Sequence, residues 1–264
     1  MFSNLAKLIR YRGLIQSLVA RELKARYRGS VLGYLWSFIN PLLLLSIYTF
    51  VFTVVLPNRN PIAQPYAVFL FCGILPWNWF ASSLMEASGS LVSGGNLIKK
   101  VLFPAEILPI VNVLANMVHY FLGLLILIAF LIGYRHWPDP LGLLWFPVVV
   151  VIQLVFTCGL ALFLSALTVH YRDIRDLLSN VLMFWFFATP IIYPWQDENV
   201  KQYKWLFDLN PFTHLAVSYQ EILFFPGPVG HASWLLALGG ASVLVFLAGY
   251  WFFDRLRDSF AEAV

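Results

Sequence analysis

Glu86 is a carboxylate placed inside the otherwise apolar run from Tyr66 to Val92. Charged groups are costly in hydrocarbon and face a bundle interior or an aqueous cavity where they occur there. Glu86 therefore reads either as a pathway or coupling residue, or as a group near the inner end of its helix that pairs with Lys99 or Lys100. Other residues capable of chemistry are dispersed. Asp173 and Asp176 are interleaved with Arg172 and Arg175 and read as local salt-bridging, while Asp197 and Glu198 are adjacent and read as a solvated turn. A membrane-embedded transferase acting on lipid-linked sugars would need a convergent acid pair or an Asp-x-Asp metal site, and these pairs do not supply one. The histidines (His119, His136, His170, His214 and His231) are scattered, and no H-E-x-x-H or clustered Cys/His set points to a metal. Cys72 and Cys158 fall inside apolar runs and read as small buried hydrophobes rather than a disulfide. No G-x-x-x-x-G-K-[ST] is present, so the chain has no nucleotide-binding loop of its own. The expectation is a chain that is not an enzyme and holds no cofactor.

The elements that must position these residues are set by the solvent. The chain has 264 residues, 60% hydrophobic and 11% charged, where a soluble domain carries about 25% charged residues. Several apolar runs approach the ~20 residues that cross a bilayer. A spanning segment must satisfy its own backbone, which leaves helices or a closed barrel. Barrel strands alternate apolar and polar residues, and runs such as Phe121 to Ile132 do not. The net charge of +4 could suggest nucleic acid, but the basic residues bracket apolar helices, so no nucleic-acid partner is expected. Lys7, Arg10, Arg12, Arg21, Lys24, Arg26 and Arg28 interrupt the N-terminal region, which argues against a cleavable signal.

The predicted fold is an all-α integral membrane protein with six transmembrane helices, an N-terminal amphipathic interface helix and short re-entrant helices between the fifth and sixth spans. Residues 1–29 form the amphipathic cytoplasmic region, in which Leu14, Ile15, Leu18, Val19 and Leu23 recur at helical spacing. Its basic residues suit anionic headgroups of membrane lipids. Residues 30–264 form the transmembrane domain, with spans at about 33–56, 66–92, 105–133, 141–169, 177–193 and 231–253. Pro41 should kink or locally unwind the first span. The mixed segment 194–230 is broken by Asn210-Pro211 and Pro226-Gly227-Pro228 and reads as two short helices dipping into the outer leaflet, with a surface-lying loop as the alternative. With the N-terminus inside, 13 of the 17 Lys and Arg fall in inside segments and 4 outside (Arg59, Arg135, Lys201, Lys204). That bias places both termini in the cytoplasm.

Four stretches carry a family likeness: Arg21-Glu22-x-Lys24-x-Arg26-Tyr27 leading through Leu32-Gly33 and Trp36 to Asn40-Pro41; Leu97 to Pro104 followed by Glu106; Tyr171-Arg172-Asp173-Ile174 leading to Thr189-Pro190-Ile191-Ile192-Tyr193; and Asn210-Pro211-Phe212 followed by Tyr219. In these the chain resembles the membrane subunit of ABC-2 type exporters, specifically the permeases for O-antigen, capsular polysaccharide or teichoic acid. Gln220, where arginine often follows the tyrosine, and Thr189, where serine is common, depart from that pattern. The resemblance implies a homodimer with two separate ABC ATPase subunits that bind ATP and Mg, a lipid-linked glycan as cargo, and residence in the bacterial cytoplasmic membrane. It also implies a coupling helix at about 93–103. An ATPase without membrane segments must push on cytoplasmic elements, and Lys99, Lys100, Arg172, Asp173 and Arg175 offer charges there, although positive-inside topology accounts for such charges as well.

A glycan channel needs walls that hold sugars without selecting them, and aromatic faces meet this because sugar C–H faces pack on rings. Tyr34, Phe38, Tyr48 and Phe52 share one stripe of the first span, with Pro41 and Leu45 between them; Asn180, Phe184 and Phe187 share one stripe of the fifth. These are the candidate pathway residues, with ordinary packing against helices or lipid as the alternative. Asn210, Pro211, Phe212 and Tyr219 are the candidate outer gate. A drug or small lipid as cargo, and a passive channel, are the rival transport readings.

Overall fold

The computed structural model describes residues 11–55, 61–99, 103–198 and 202–263. Among the described residues it is all-helical, with no strand. The order is α1 (Arg12–Arg26), α2 (Trp36–Phe50), α3 (Tyr66–Ser93), α4 (Gly95–Ile98), α5 (Ile107–Gly133), α6 (Pro140–Leu143), α7 (Phe146–His170), α8 (Ile174–Phe187), α9 (Lys204–Asp208), α10 (Pro211–Leu223) and α11 (Ala232–Ala263). A 3-10 turn at Gly33–Leu35 leads into α2, and a π-helical turn at Val51–Val55 follows it.

Among the described residues, five helical stretches are long and apolar enough to cross a membrane: Gly33–Val55, Tyr66–Ser93, Ile107–Gly133, Pro140–His170 and Ala232–Phe260. Four match the expected spans closely. The fifth expected span, 177–193, is α8, of only 14 residues. At 1.5 Å per residue it reaches about 21 Å, short of the roughly 30 Å hydrocarbon core. Thr189-Pro190 stops it, because the residue before a proline is driven out of the helical region. The Thr189 hydroxyl instead donates back to the Trp185 carbonyl at 2.8 Å. The last helix is longer than expected, running through the charged tail to Ala263. Arg257 there pairs at 3.0 Å with the buried Glu106, just before α5.

Residues 36–50 are helical throughout, so the unwinding expected at Pro41 is not seen. Irregular geometry lies instead at both ends of that span.

α3 is the central helix and packs against α5, α7, α10, α8 and α2. Water gives no drive for association between helices in a bilayer, so close packing must hold them. The α7–α11 contact shows how: a Cβ placed on Gly249 would lie 2.1 Å from the Gly159 carbonyl oxygen, and one placed on Gly159 would lie 2.7 Å from the Phe246 backbone. The two helices touch backbone to backbone. By contrast, the most apolar part of Gly33–Val55 is almost wholly unburied, while that of Tyr66–Ser93 is mostly buried. α1 lays Leu18 against Ile107 and Val111 at the start of α5, leaving Arg12, Arg21 and Lys24 exposed.

Candidate functional site

A polar cavity of about 490 Å³ opens between α1, α2, α3 and α5, lined by Arg26, Trp36, Asn40, Asn78, Trp79 and Asn116 among others. Glu86 stands below it. Its partner among the described residues is not Lys99, and Lys100 lies outside them. Arg26, at the end of α1, donates to the Glu86 carboxylate and, through Nη1, to the Asn116 carbonyl at 3.0 Å. The Asn116 amide donates to Glu86 Oε2 at 2.7 Å. Three elements thus meet in a closed triad, because α1 ends where α3 and α5 bring their polar residues level. On α3 the cavity is lined from Ser82 to Leu75, 11 to 18 residues from the helix end, so it climbs from about 16 Å to about 27 Å along that helix. Asn78 is exposed in the middle of a helix of otherwise buried apolar residues. A polar amide at that depth belongs against water or a partner, not lipid. Above it, the Trp79 indole donates to the Val113 carbonyl at 3.1 Å and stacks on Tyr120 at 5.2 Å.

The aromatic stripe of the first span divides. Tyr34 and Phe38 are exposed, whereas Leu45 is fully buried and Tyr48 and Phe52 turn inward. Phe52 packs edge-on against Tyr66 at 4.6 Å. The α8 stripe is open along its length: Asn180 is exposed, and Phe184 and Phe187 are 75% and 56% exposed.

Lys99 is exposed just after α4, and Lys100 lies outside the described residues. Arg172, Asp173 and Arg175 are all exposed. No ion pair joins Asp173 or Asp176 to Arg172 or Arg175 among the described residues, so the expected local salt-bridging is not borne out. Arg175 extends instead over Gly89 of α3.

Among the described residues of the segment 194–230 lie the short helices α9 and α10. In α10 every residue except Pro211 and Glu221 is buried, so α10 is no surface-lying loop, whereas no residue of α9 is buried. Asn210 caps α10 by accepting from the Phe212 amide at 3.0 Å, and its Oδ1 also accepts from the Trp185 indole at 2.7 Å. Its amide donates to the Ala188 carbonyl and to Thr189 Oγ1, both at 3.0 Å. Pro211 follows at the first helical position, where a missing N–H costs nothing. Phe212 sits fully buried between Trp77 and Phe80 at 4.9 and 4.8 Å, and Tyr219 is fully buried beside Tyr120. Asn210, Phe212 and Tyr219 fasten α10 to α8, α3 and α5 in turn. The two departures from the family pattern are part of the fastening: Thr189 receives Asn210, and the Gln220 amide donates to the Pro190 carbonyl at 2.9 Å.

In the first turn of α10, His214 Nδ1 meets His231 Nε2 at 2.8 Å, and His214 Nε2 donates to the Asp208 carbonyl at 3.0 Å. The His214 ring stacks on Trp234 at 4.8 Å. Burial lowers both pKa values, and His214 and Lys204 add to the effect on His231, which falls to about 4. Glu221 accepts from the His231 backbone amide at 2.9 Å; burial raises its pKa, opposed by that hydrogen bond.

Arg26, Asn78 and Asn116 were missed as site residues. Both asparagines are polar residues inside apolar runs, the same signal that singled out Glu86. The His214–His231 pair had no signal, since 17 residues separate them.

A bundle of long apolar helices around a polar cavity is the build of a multi-pass membrane protein. The chain matches the ABC-2 type transporter family over residues 13–224 and belongs to it. It is 41% identical over 267 residues, covering all of both chains, to the O-antigen export system permease protein RfbA of Myxococcus xanthus. A Klebsiella pneumoniae protein of the same name is 34% identical, covering 94% of each chain. The polysialic acid transport protein KpsM of Escherichia coli is 23% identical, covering 81% of each.

Proposed function

We propose that this chain is the permease of an ABC exporter that moves a lipid-linked polysaccharide, of O-antigen or capsule type, across the cytoplasmic membrane. The 41% identity to an O-antigen export permease over the whole of both chains carries this reading. It works as a pair of copies with two ATPase subunits, which bind ATP and Mg. Two faces are unoccupied by the chain's own core, that of Gly33–Val55 and that of α8 with Phe184 and Phe187. They supply the surfaces on which a second copy and the cargo meet. Tyr34, Phe38, Asn180, Phe184 and Phe187 line the route, with Tyr48 and Phe52 stiffening its outer end.

In this reading α8 serves as the sixth, short crossing, α9 and α10 dip into the outer leaflet, and both termini are cytoplasmic. α1 lies at the inner interface. Lys99, Lys100, Arg172, Asp173 and Arg175 receive the ATPase stroke, and the Arg26–Glu86–Asn116 triad carries it from α1 into α3 and α5. Asn210, Pro211, Phe212 and Tyr219 hold the outer gate.

The test is deletion of this chain from its cell. Surface polysaccharide should vanish while lipid-linked polymer accumulates inside, and the purified chain should carry an ATPase with it. Unchanged surface polysaccharide would overturn the reading. Lys99→Glu with Lys100→Glu should leave ATP hydrolysis but stop export, and retained export would remove these lysines from the coupling path.

A further inference from the structure

We propose that the cavity between α1, α2, α3 and α5 is a subsite for one neutral sugar unit of the cargo and not for its phosphate. This rests on the polysaccharide-export reading above. A guanidinium at the cytoplasmic mouth of a cavity invites an anionic ligand, but the charge there is already spent. Arg26 donates into the Glu86 carboxylate and lies 4.0 Å from Glu22. Glu86 neutralises Arg26 from outside the cavity lining, so an incoming phosphate meets a charge that is already paired. Asn116 occupies a further guanidinium N–H at 3.0 Å, which removes the fork that would grip a phosphate.

What remains free in the cavity is uncharged. Asn40 and Asn78 are exposed and present amides that both donate and accept, the pairing a hydroxyl group needs. Trp36 and Trp79 line the same space. Trp79 is almost fully buried, with its N–H donating to Val113 and its ring stacked on Tyr120, and backs the wall, while the partly exposed Trp36 offers ring surface that suits the C–H face of a pyranose. His119 Nε2 is buried against the cavity without a partner, a further group that a hydroxyl could satisfy. The volume of about 490 Å³ lies within the range of about 300–1,000 Å³ that small-molecule sites occupy. The α3 wall of the cavity runs seven residues, from Ser82 to Leu75, or about 10 Å, which is room for a sugar rather than a polymer segment.

The experiment is saturation-transfer NMR on the purified full chain in nanodiscs. The probes are methyl glycosides of glucose, galactose, mannose and N-acetylglucosamine, with a methyl sialoside and inorganic pyrophosphate as anionic comparators. At least one neutral glycoside should receive saturation at its ring protons. That signal should fall at least about threefold in the Asn40→Ala/Asn78→Ala double variant, whose substitutions sit on exposed positions, and pyrophosphate should not reduce it. The subsite is overturned if no neutral glycoside binds, if the double variant binds as well as the parent, or if pyrophosphate or the sialoside displaces the sugar. Loss of surface polysaccharide on deletion together with no glycoside binding would sink the subsite alone. Intact surface polysaccharide on deletion would sink the exporter reading itself.

Discussion

Glu86→Gln tests the triad directly. The substitution keeps the side chain's shape and a carbonyl for the Asn116 amide, and removes the charge that faces Arg26. Its cost can be bounded from exposure. The Arg26 and Glu86 side chains retain 22% and 37% of their accessible surface, so the pair is intermediate between a surface bridge, worth about 0–1 kcal/mol, and a buried one, whose breaking costs about 3–5 kcal/mol. A value near 2 kcal/mol follows, tempered because Arg26 can fall back on Glu22. For a chain of this size that is a drop in melting temperature of about 4–8 °C. Both cysteines are free and buried, so a thiol-reactive dye reads global unfolding without any engineered label. Arg26→Met should cost a similar amount. The Arg26→Met/Glu86→Gln double variant should be no worse than either single one, giving a coupling energy of about 1–2 kcal/mol. Additive losses, or a melting point unchanged in Glu86→Gln, would refute the triad as a joint between α1, α3 and α5. Parent-like export with parent-like ATPase stimulation would refute its place in coupling.

Asn210→Ala should destabilise the outer segment by about 2–4 kcal/mol, since it removes a helix cap and strands the Trp185 indole donor; denaturation monitored by the same dye checks it. Gly159→Ala and Gly249→Ala should each cost about 1–3 kcal/mol by forcing α7 from α11, whereas Gly240→Ala, with open space at its Cβ, should be neutral in the same melt. The His214–His231 pair, outside the five long helices, should make stability fall in acid. Both pKa values are lowered on folding, so the folded state refuses protons that the unfolded state binds, and the pair's stability is intact above the unfolded value of about 6.5 and lost as pH drops from there toward about 4. Melting points across that window should decline in the parent and flatten in His231→Gln. Tyr34→Ala with Phe184→Ala should reduce export of long chains, assayed as surface polymer length, without lowering the melting point.

The long helices were legible because hydropathy over some twenty residues is a local property, and four of the expected spans match the structure to within a few residues. α8 was misjudged in length because Thr189-Pro190 continues an apolar run that a window cannot distinguish from helix. The stop is stereochemical and is sealed by Asn210, 21 residues downstream. Glu86 was legible as a charge out of place, but its partner was not. Lys99 and Lys100 are nearer in sequence, while Arg26 arrives from 60 residues away only because α1 folds back along α5. The aromatic stripe of the first span was drawn by helical periodicity, which gives a face but not what covers it. Leu45, Tyr48 and Phe52 turn out to face the chain's own core.

The shortness of α8 has a consequence for the lipid around it. A helix of 14 residues leaves roughly 9 Å of a typical hydrocarbon core unmatched. In the proposed reading, where α8 crosses, the bilayer must become thinner beside it, or water must descend to meet its end. Either outcome shortens the apolar barrier at one place on the molecule's circumference. Reconstitution into lipids of increasing acyl length should then slow turnover progressively, and the exporter would work best where the membrane is easiest to dimple.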